Sequence, residues 1–167
     1  MTTGSQTPPT EARTTMNEHG FGTTISVKAT PLEAFAAIND VRGWWGHDVE
    51  GSTDTVGDEF TYYGEDVHRS VIRVIDLVPG ERVVWHVLDN WMGFVEDQSE
   101  WKDTRIVFEI LPTDEGVQVR FTHLGLVPRY ECYDVCFDAW TFFLQDSLRD
   151  LITTGRGEPM QRLAESA

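Results

Sequence analysis

Polar and apolar residues alternate from Thr24 to Ala29, which predicts a strand with Ile25, Val27 and Ala29 on one face. Thr30-Pro31-Leu32-Glu33 then reads as a helix start. Thr30 is placed to cap the free amides, Pro31 occupies the first helical position and Glu33 supplies an acidic first turn. Leu32, Phe35, Ala36 and Ile38 make its expected apolar face, and Val41 to Trp45 follows as a second short helix or turn, broken by Gly46. From Gly57 the period returns to two. Strands are expected over 59–63, 68–77, 82–88, 104–111 and 117–123, with turns at Val78-Pro79-Gly80-Glu81 and Pro112-Thr113-Asp114-Glu115-Gly116. The facing of Trp85 is open, because Val83 and Val87 lie to one side of its strand and Val84 and Leu88 to the other.

Beyond Pro128 the period becomes helical. Tyr133, Cys136, Phe137, Trp140, Leu144, Leu148 and Leu151 form one stripe, with Asp134, Asp138, Thr141, Gln145 and Arg149 opposite. A helix from Tyr130 to Thr154 would be roughly 37 Å long, and Gly155 is its expected left-handed cap. Antiparallel strands segregated from helices give an α+β class in which the long amphipathic helix must cover one face of the sheet.

The 167 residues suit one domain with a sizeable core. Residues 1–20, rich in Thr, Ser, Gln and Pro, read as a disordered N-terminal tail, 21–158 as the domain and 159–167 as a short C-terminal tail. Acidic residues outnumber basic ones by 28 to 13, giving a net charge of −15. With no basic run to neutralise phosphates, nucleic acid is not an expected partner; the acidity favours solubility, or docking to a basic patch on a protein partner. No stretch is long and apolar enough for a membrane span, and no apolar signal segment opens the chain, so a cytoplasmic location is expected. Cys132 and Cys136, one helical turn apart, read as free thiols of a reducing compartment. The five His residues lack metal-ligand spacing, and no metal or cofactor is expected.

The order of elements resembles the helix-grip fold of the START, Bet v 1 and polyketide-cyclase-like superfamily. Within it the chain is most similar to the branch of the activator of Hsp90 ATPase homologue domain. The resemblance is carried by Ile25-Ser26-Val27 with Pro31-Leu32-Glu33-Ala34-Phe35, Trp44-Trp45, Val78-Pro79-Gly80-Glu81-Arg82-Val83-Val84-Trp85, Phe121-Thr122-His123-Leu124-Gly125-Leu126, and Trp140 with Leu144, Ser147-Leu148 and Gly155. It implies a curved antiparallel sheet with two short helices, gripping the long C-terminal helix around a cavity. The superfamily's functions include binding of lipids, hormones and polyketides, cyclisation, and co-chaperone activity, so fold does not fix function.

Binding of a hydrophobic or aromatic small molecule between sheet and helix is the leading expectation. Phe60, Tyr62, Phe108, Phe121 and His123 share faces that can meet Tyr133, Cys136, Phe137 and Trp140, and Trp85 joins them if it faces inward. The same residues could equally fill a solid core. Trp44 and Trp45 would flank a cavity mouth, or one would plug the core with the other half exposed. The long acidic segment from Asp89 to Asp103, with Trp91, Phe94 and Trp101, reads as a lid or contact loop, or as ordinary solvated loop ending where Trp101 starts the next strand. His123 is the polar candidate, able to bond a ligand carbonyl or to act as acid or base with Tyr133 as helper, or else to tie the linker to the sheet. Cys136 near His123 lacks a third group for nucleophilic catalysis. Two alternatives therefore stand beside ligand binding, an Hsp90-activator-like protein-partner module and a cyclase- or aromatase-like enzyme.

Overall fold

The computed structural model describes residues 20–64, 68–93, 96, 100–128 and 130–160. Its centre is a seven-stranded antiparallel sheet in the order β1-β7-β6-β5-β4-β3-β2. The strands are β1 (Gly20–Val27), β2 (Val49–Gly51), β3 (Glu59–Gly64), β4 (His68–Val78), β5 (Arg82–Met92), β6 (Arg105–Thr113) and β7 (Gly116–Leu124). Six strands form a meander, and β1 adds to its end beside β7 in full register from Gly20↔Leu124 to Val27↔Val117. β1 begins at Gly20 rather than Thr24 because Phe21, buried against Phe121, extends its inward face. The short edge strand β2 carries no alternation long enough to announce it.

Two register shifts in the β4–β5 ladder, at Val71/Ile72 and Val74/Asp76, interrupt the regular pairing and bend the sheet. Trp85 is fully buried with Val83 and Val87, so it faces inward on the concave side. β5 pairs with β6 only from Arg82 to His86. Beyond Val87 it runs on with β4 alone, and residues 100–104 cover its other side, tied by Val87 N–H to the Thr104 carbonyl and Asp103 N–H to the Val87 carbonyl.

Helix α1 (Pro31–Asn39) starts as the sequence predicts. Glu33 N–H donates to Thr30 Oγ1 at 3.1 Å and Thr30 N–H to Glu33 Oε1 at 2.9 Å. Its buried face is Ala34, Ala37 and Ile38, not the expected line through Leu32, which is 61% exposed. Leu32 lies about 200° around the helix from Ala34, while the two alanines let the backbone approach the sheet. Helix α2 (Val41–Trp44) follows directly.

The long C-terminal helix comprises α3 (Tyr133–Phe142), a π-helical stretch (Phe143–Leu148) and α4 (Arg149–Thr154). It starts at Tyr133 rather than Tyr130 and ends on Gly155, left-handed at φ 86°. Its inward stripe is Tyr133, Cys136, Trp140, Phe143, Leu144, Ser147 and Leu148. Phe137, expected in that stripe, is 41% exposed and packs edge-on to Phe21. After Gly155 the chain folds back as a strap. Glu158 N–H donates to Ser147 Oγ, Met160 N–H to the Trp45 carbonyl and His47 N–H to the Met160 carbonyl. No helix among the described residues is long and apolar enough to cross a membrane.

Candidate functional site

The concave space between sheet and helix is filled mainly by rings. Trp44, Phe60, Trp85, Phe108 and Phe121 are all buried to 1% exposure or less. Trp85 is boxed in by near-parallel Trp44 at 6.5 Å and by Phe60 and Phe108 edge-on at 5.3 and 5.0 Å. Fully burying each such Phe stabilises the fold by roughly 1.5–3 kcal/mol. Both Trp44 and Trp45 are buried, so neither is the half-exposed ring of an entrance; Trp44 Nε1 donates to the Ile38 carbonyl at 3.1 Å.

At the end of the sheet where β5 has left β6, the packing opens. Here a cavity of about 130 Å³ remains. Its aromatic walls are Trp45, Tyr62, Trp101 and Trp140, its thiol is Cys136, and its imidazole is His68. Trp45 stacks on Tyr62 at 4.0 Å, and Trp101 on Trp140 at 5.6 Å. Gly46 permits the first stack, because a Cβ there would lie 2.5 Å from Tyr62 Cε1. Gly64, Met92, Val135, Ala139, Phe143 and Met160 complete the boundary, with Val135 at its exposed rim.

Directly behind the wall lies a directed hydrogen-bond chain. Trp140 Nε1–H donates to His123 Nδ1 at 3.1 Å, so the His123 proton sits on Nε2 and points at Thr104 Oγ1, 2.8 Å away. The Thr104 hydroxyl then donates to the Trp101 carbonyl. Both imidazole nitrogens thus face protein partners, and the indole N–H opposite Nδ1 leaves no room for a second ring proton. Burial, with a smaller contribution from His68, lowers the His123 pKa to about 3. His68, packed edge-on to Tyr62 at 5.1 Å and Trp101 at 4.7 Å, is likewise lowered to about 3 by burial. Its Nε2 lies 2.6 Å from Ser70 Oγ. At neutral pH both rings are uncharged.

Other polar groups fix the surroundings. The Glu100 carboxylate receives the backbone N–H groups of Glu131 and Cys132 at 2.9 and 3.1 Å, holding the start of the C-terminal helix to the segment that carries Trp101. A hydrogen bond to Cys136, then burial and the nearby Glu100 charge, keep the Cys132 thiol far above the ordinary thiol range. The indole N–H of Trp101 and both amide atoms of the buried Asn90 have no protein partner. Among the described residues no group of three or more His, Cys, Asp or Glu is placed to hold a metal ion.

Of the residues singled out from the sequence, Trp45, Tyr62, Trp101, Cys136 and Trp140 border one cavity. Trp44, Phe60, Trp85, Phe108 and Phe121 form the solid packing beside it, and His123 lies behind Trp101 and Trp140. Tyr133 is buried away from the cavity and Phe137 faces outward. Trp101 is 3% exposed, an interior residue rather than a lid; Phe94 and Asp97 of the same expected loop lie outside the described residues, as do Glu65, Asp66 and Val67. Sequence reasoning missed Gly64, His68, Met92, Val135, Ala139, Phe143 and Met160. Phase alone could have found two of them: Phe143 is three residues past Trp140, and His68 sits in the inward phase of Ser70 and Ile72. Met160 follows a proline that reads as the end of structure, and only the fold-back places it.

Residues 28–153 match the family model described as activator of Hsp90 ATPase homolog 1-like protein. No curated protein matches the chain. Among solved structures, the Aha1 dimer from Colwellia psychrerythraea is similar at a TM-score of 0.67 and 24% identity, over 83% of this chain and 98% of that one. Protein MLL2253 from Mesorhizobium loti is similar at 0.62 and 14% identity, over 79% and 94%. DynU16, a protein in the dynemicin biosynthetic locus, is similar at 0.64 and 17% identity; the match covers 87% of this chain and 51% of DynU16. At these identities the likeness carries the fold.

Proposed function

Since the chain belongs to the activator of Hsp90 ATPase homolog 1-like family, and so to the helix-grip superfamily, we propose that it binds a small apolar molecule of about one aromatic ring between sheet and C-terminal helix. The observation that carries this reading is the cavity of about 130 Å³ walled by Trp45, Tyr62, Trp101 and Trp140. Drug-sized ligands occupy pockets of about 300–1,000 Å³, whereas an apolar cavity of about 150 Å³ accepts benzene. Size therefore selects single rings over sterols, long fatty acids and extended polyketides. The flat indole faces favour a planar guest through offset and edge-on contacts, and neutral His68 offers one hydrogen-bonding edge. Thermal-shift and native mass-spectrometry measurements on a size series test this: benzene, phenol and indole should bind, and cholesterol and palmitate should not. Binding confined to the large members of the series would sink the reading.

A second reading, docking to a protein partner, is supported by Val135, Phe137 and Phe142, which stand exposed on the C-terminal helix. If it holds, light scattering should show self-association, or a pull-down should show enrichment of Hsp90, and Phe142→Ser should abolish it. A monodisperse monomer that leaves Hsp90 unenriched would remove it.

A further inference from the structure

The outer side of the C-terminal helix carries a second concavity, an open groove of about 950 Å³ bordered by Arg42, Phe142, Leu151 and Arg156. Three residues border both this groove and the inner cavity: Ala139, Phe143 and Met160. Ala139 and Phe143 belong to the helix and its π-helical stretch, so they are fixed. Met160 belongs to the strap. Its backbone is held by one hydrogen bond on each side, Met160 N–H to the Trp45 carbonyl at 2.9 Å and His47 N–H to the Met160 carbonyl at 3.0 Å.

The strap is built to seat closely and to pivot. At Gly157 a Cβ would lie 2.5 Å from the Gly43 carbonyl oxygen and 2.8 Å from that of Ser147, so only glycine lets the strap lie flat. Ser147 Oγ locks the same point, donating to the Trp44 carbonyl and accepting Glu158 N–H, both at 2.7 Å. Upstream, Gly155 is exposed and left-handed, with nothing within 4 Å of a Cβ built on it. A free pivot, only three hydrogen bonds along residues 157–160 of the strap and a flexible thioether at the partition are what a locally opening segment needs. The π-helical stretch, a feature that recurs at functional sites, supplies both Phe143 and Ser147 to this contact.

We propose that residues 155–160 gate the cavity, with the Met160 side chain as the partition, and that a guest passes from the outer groove to the inner cavity when the strap lifts about Gly155. As an entry route this rests on the binding reading above, but the gate can be tested without a guest. Cys136 borders the cavity and is 4% exposed, so its thiol reports access.

The experiment is the labelling rate of Cys136 in the full chain by methyl methanethiosulfonate, a small neutral thiol reagent. Peptide mass spectrometry separates Cys136 from Cys132. Met160→Ala, which removes the partition, and Gly157→Ala, which displaces the strap, should each speed Cys136 labelling by about tenfold or more. Ile110→Val, which loosens the core on β6 far from the strap, is the control for global unfolding, and circular dichroism establishes that each variant is folded. Faster labelling in both strap variants, beyond that of the control, supports the gate. Rates in Met160→Ala and Gly157→Ala no higher than in Ile110→Val overturn it. Failure of the wild-type protein to bind benzene, with the labelling pattern intact, would remove the binding reading and leave the gate standing.

Discussion

The two ends of this aromatic interior use the same residue types and reach different states. At one end Trp85 is enclosed by Trp44, Phe60 and Phe108, in a region where β5 pairs on both sides. At the other, Trp45, Tyr62, Trp101 and Trp140 are as aromatic and nearly as buried, yet they surround about 130 Å³ of space. The difference lies in the backbone. Beyond Val87, β5 has lost β6 as a neighbour, and the wall is completed by residues 100–104 and by the strap. Five buried tryptophans therefore do not by themselves make a pocket; a sheet that stops pairing beneath some of them does.

The strongest way to break this contrast is at the solid end. Trp85→Ala should cost about 3–5 kcal/mol in urea unfolding, since it removes a fully buried ring packed against Trp44, Trp45, Phe60 and Phe108. A loss much below that would mean the sealed end is as loose as the other.

His123 backs the loose end, behind Trp101 and Trp140. His123→Leu strands the Trp140 indole N–H and should cost about 1–3 kcal/mol, with Trp fluorescence reporting any shift of Trp140.

The same histidines set a pH dependence. His68 and His123 are lowered to about 3 in the folded protein, against 6.5 for the free side chain. Between those values the unfolded chain binds protons that the folded chain refuses, so stability falls as pH drops from 6.5 toward 3. Each group adds at most about 1.4 kcal/mol per pH unit to the slope. His123→Leu should flatten the profile measured by urea titration across this window; an unchanged slope would show that His123 is not held neutral.

The smallest effect on stability should come from the loose end. Cys136→Leu fills part of the cavity and should raise stability by about 0.5–2 kcal/mol. A comparable loss would mean that end is already full.

Much of the architecture was legible in the sequence because its period changes sharply. Two-residue alternation from Gly57 to His123 and a helical stripe beyond Pro128 give the α+β order, and Thr30-Pro31-Leu32-Glu33 gives the start of α1. The site was legible in residue type but not in outcome. Tyr62, Cys136 and Trp140 could be chosen for their faces and Trp101 as a ring of the acidic segment, but nothing local distinguishes them from Phe60, Phe108 and Phe121, which pack solidly. That distinction depends on where β5 and β6 part. It also depends on a strap whose Gly-Glu-Pro-Met sequence reads as the end of structure and instead folds back to Trp45. Leu32 and Phe137 show the converse, apolar residues at stripe positions that tertiary packing leaves outside.

The central claim is that the space between Trp45, Tyr62, Trp101 and Trp140 is a site for one planar ring. Intermolecular nuclear Overhauser effects between benzene and the protein test it most directly. Benzene seated there should show contacts to the indole protons of Trp45 and Trp101 and to the methyl group of Met92, all lost in Cys136→Leu. Contacts confined to surface residues such as Phe137 and Phe142, or contacts that persist unchanged in Cys136→Leu, would contradict it.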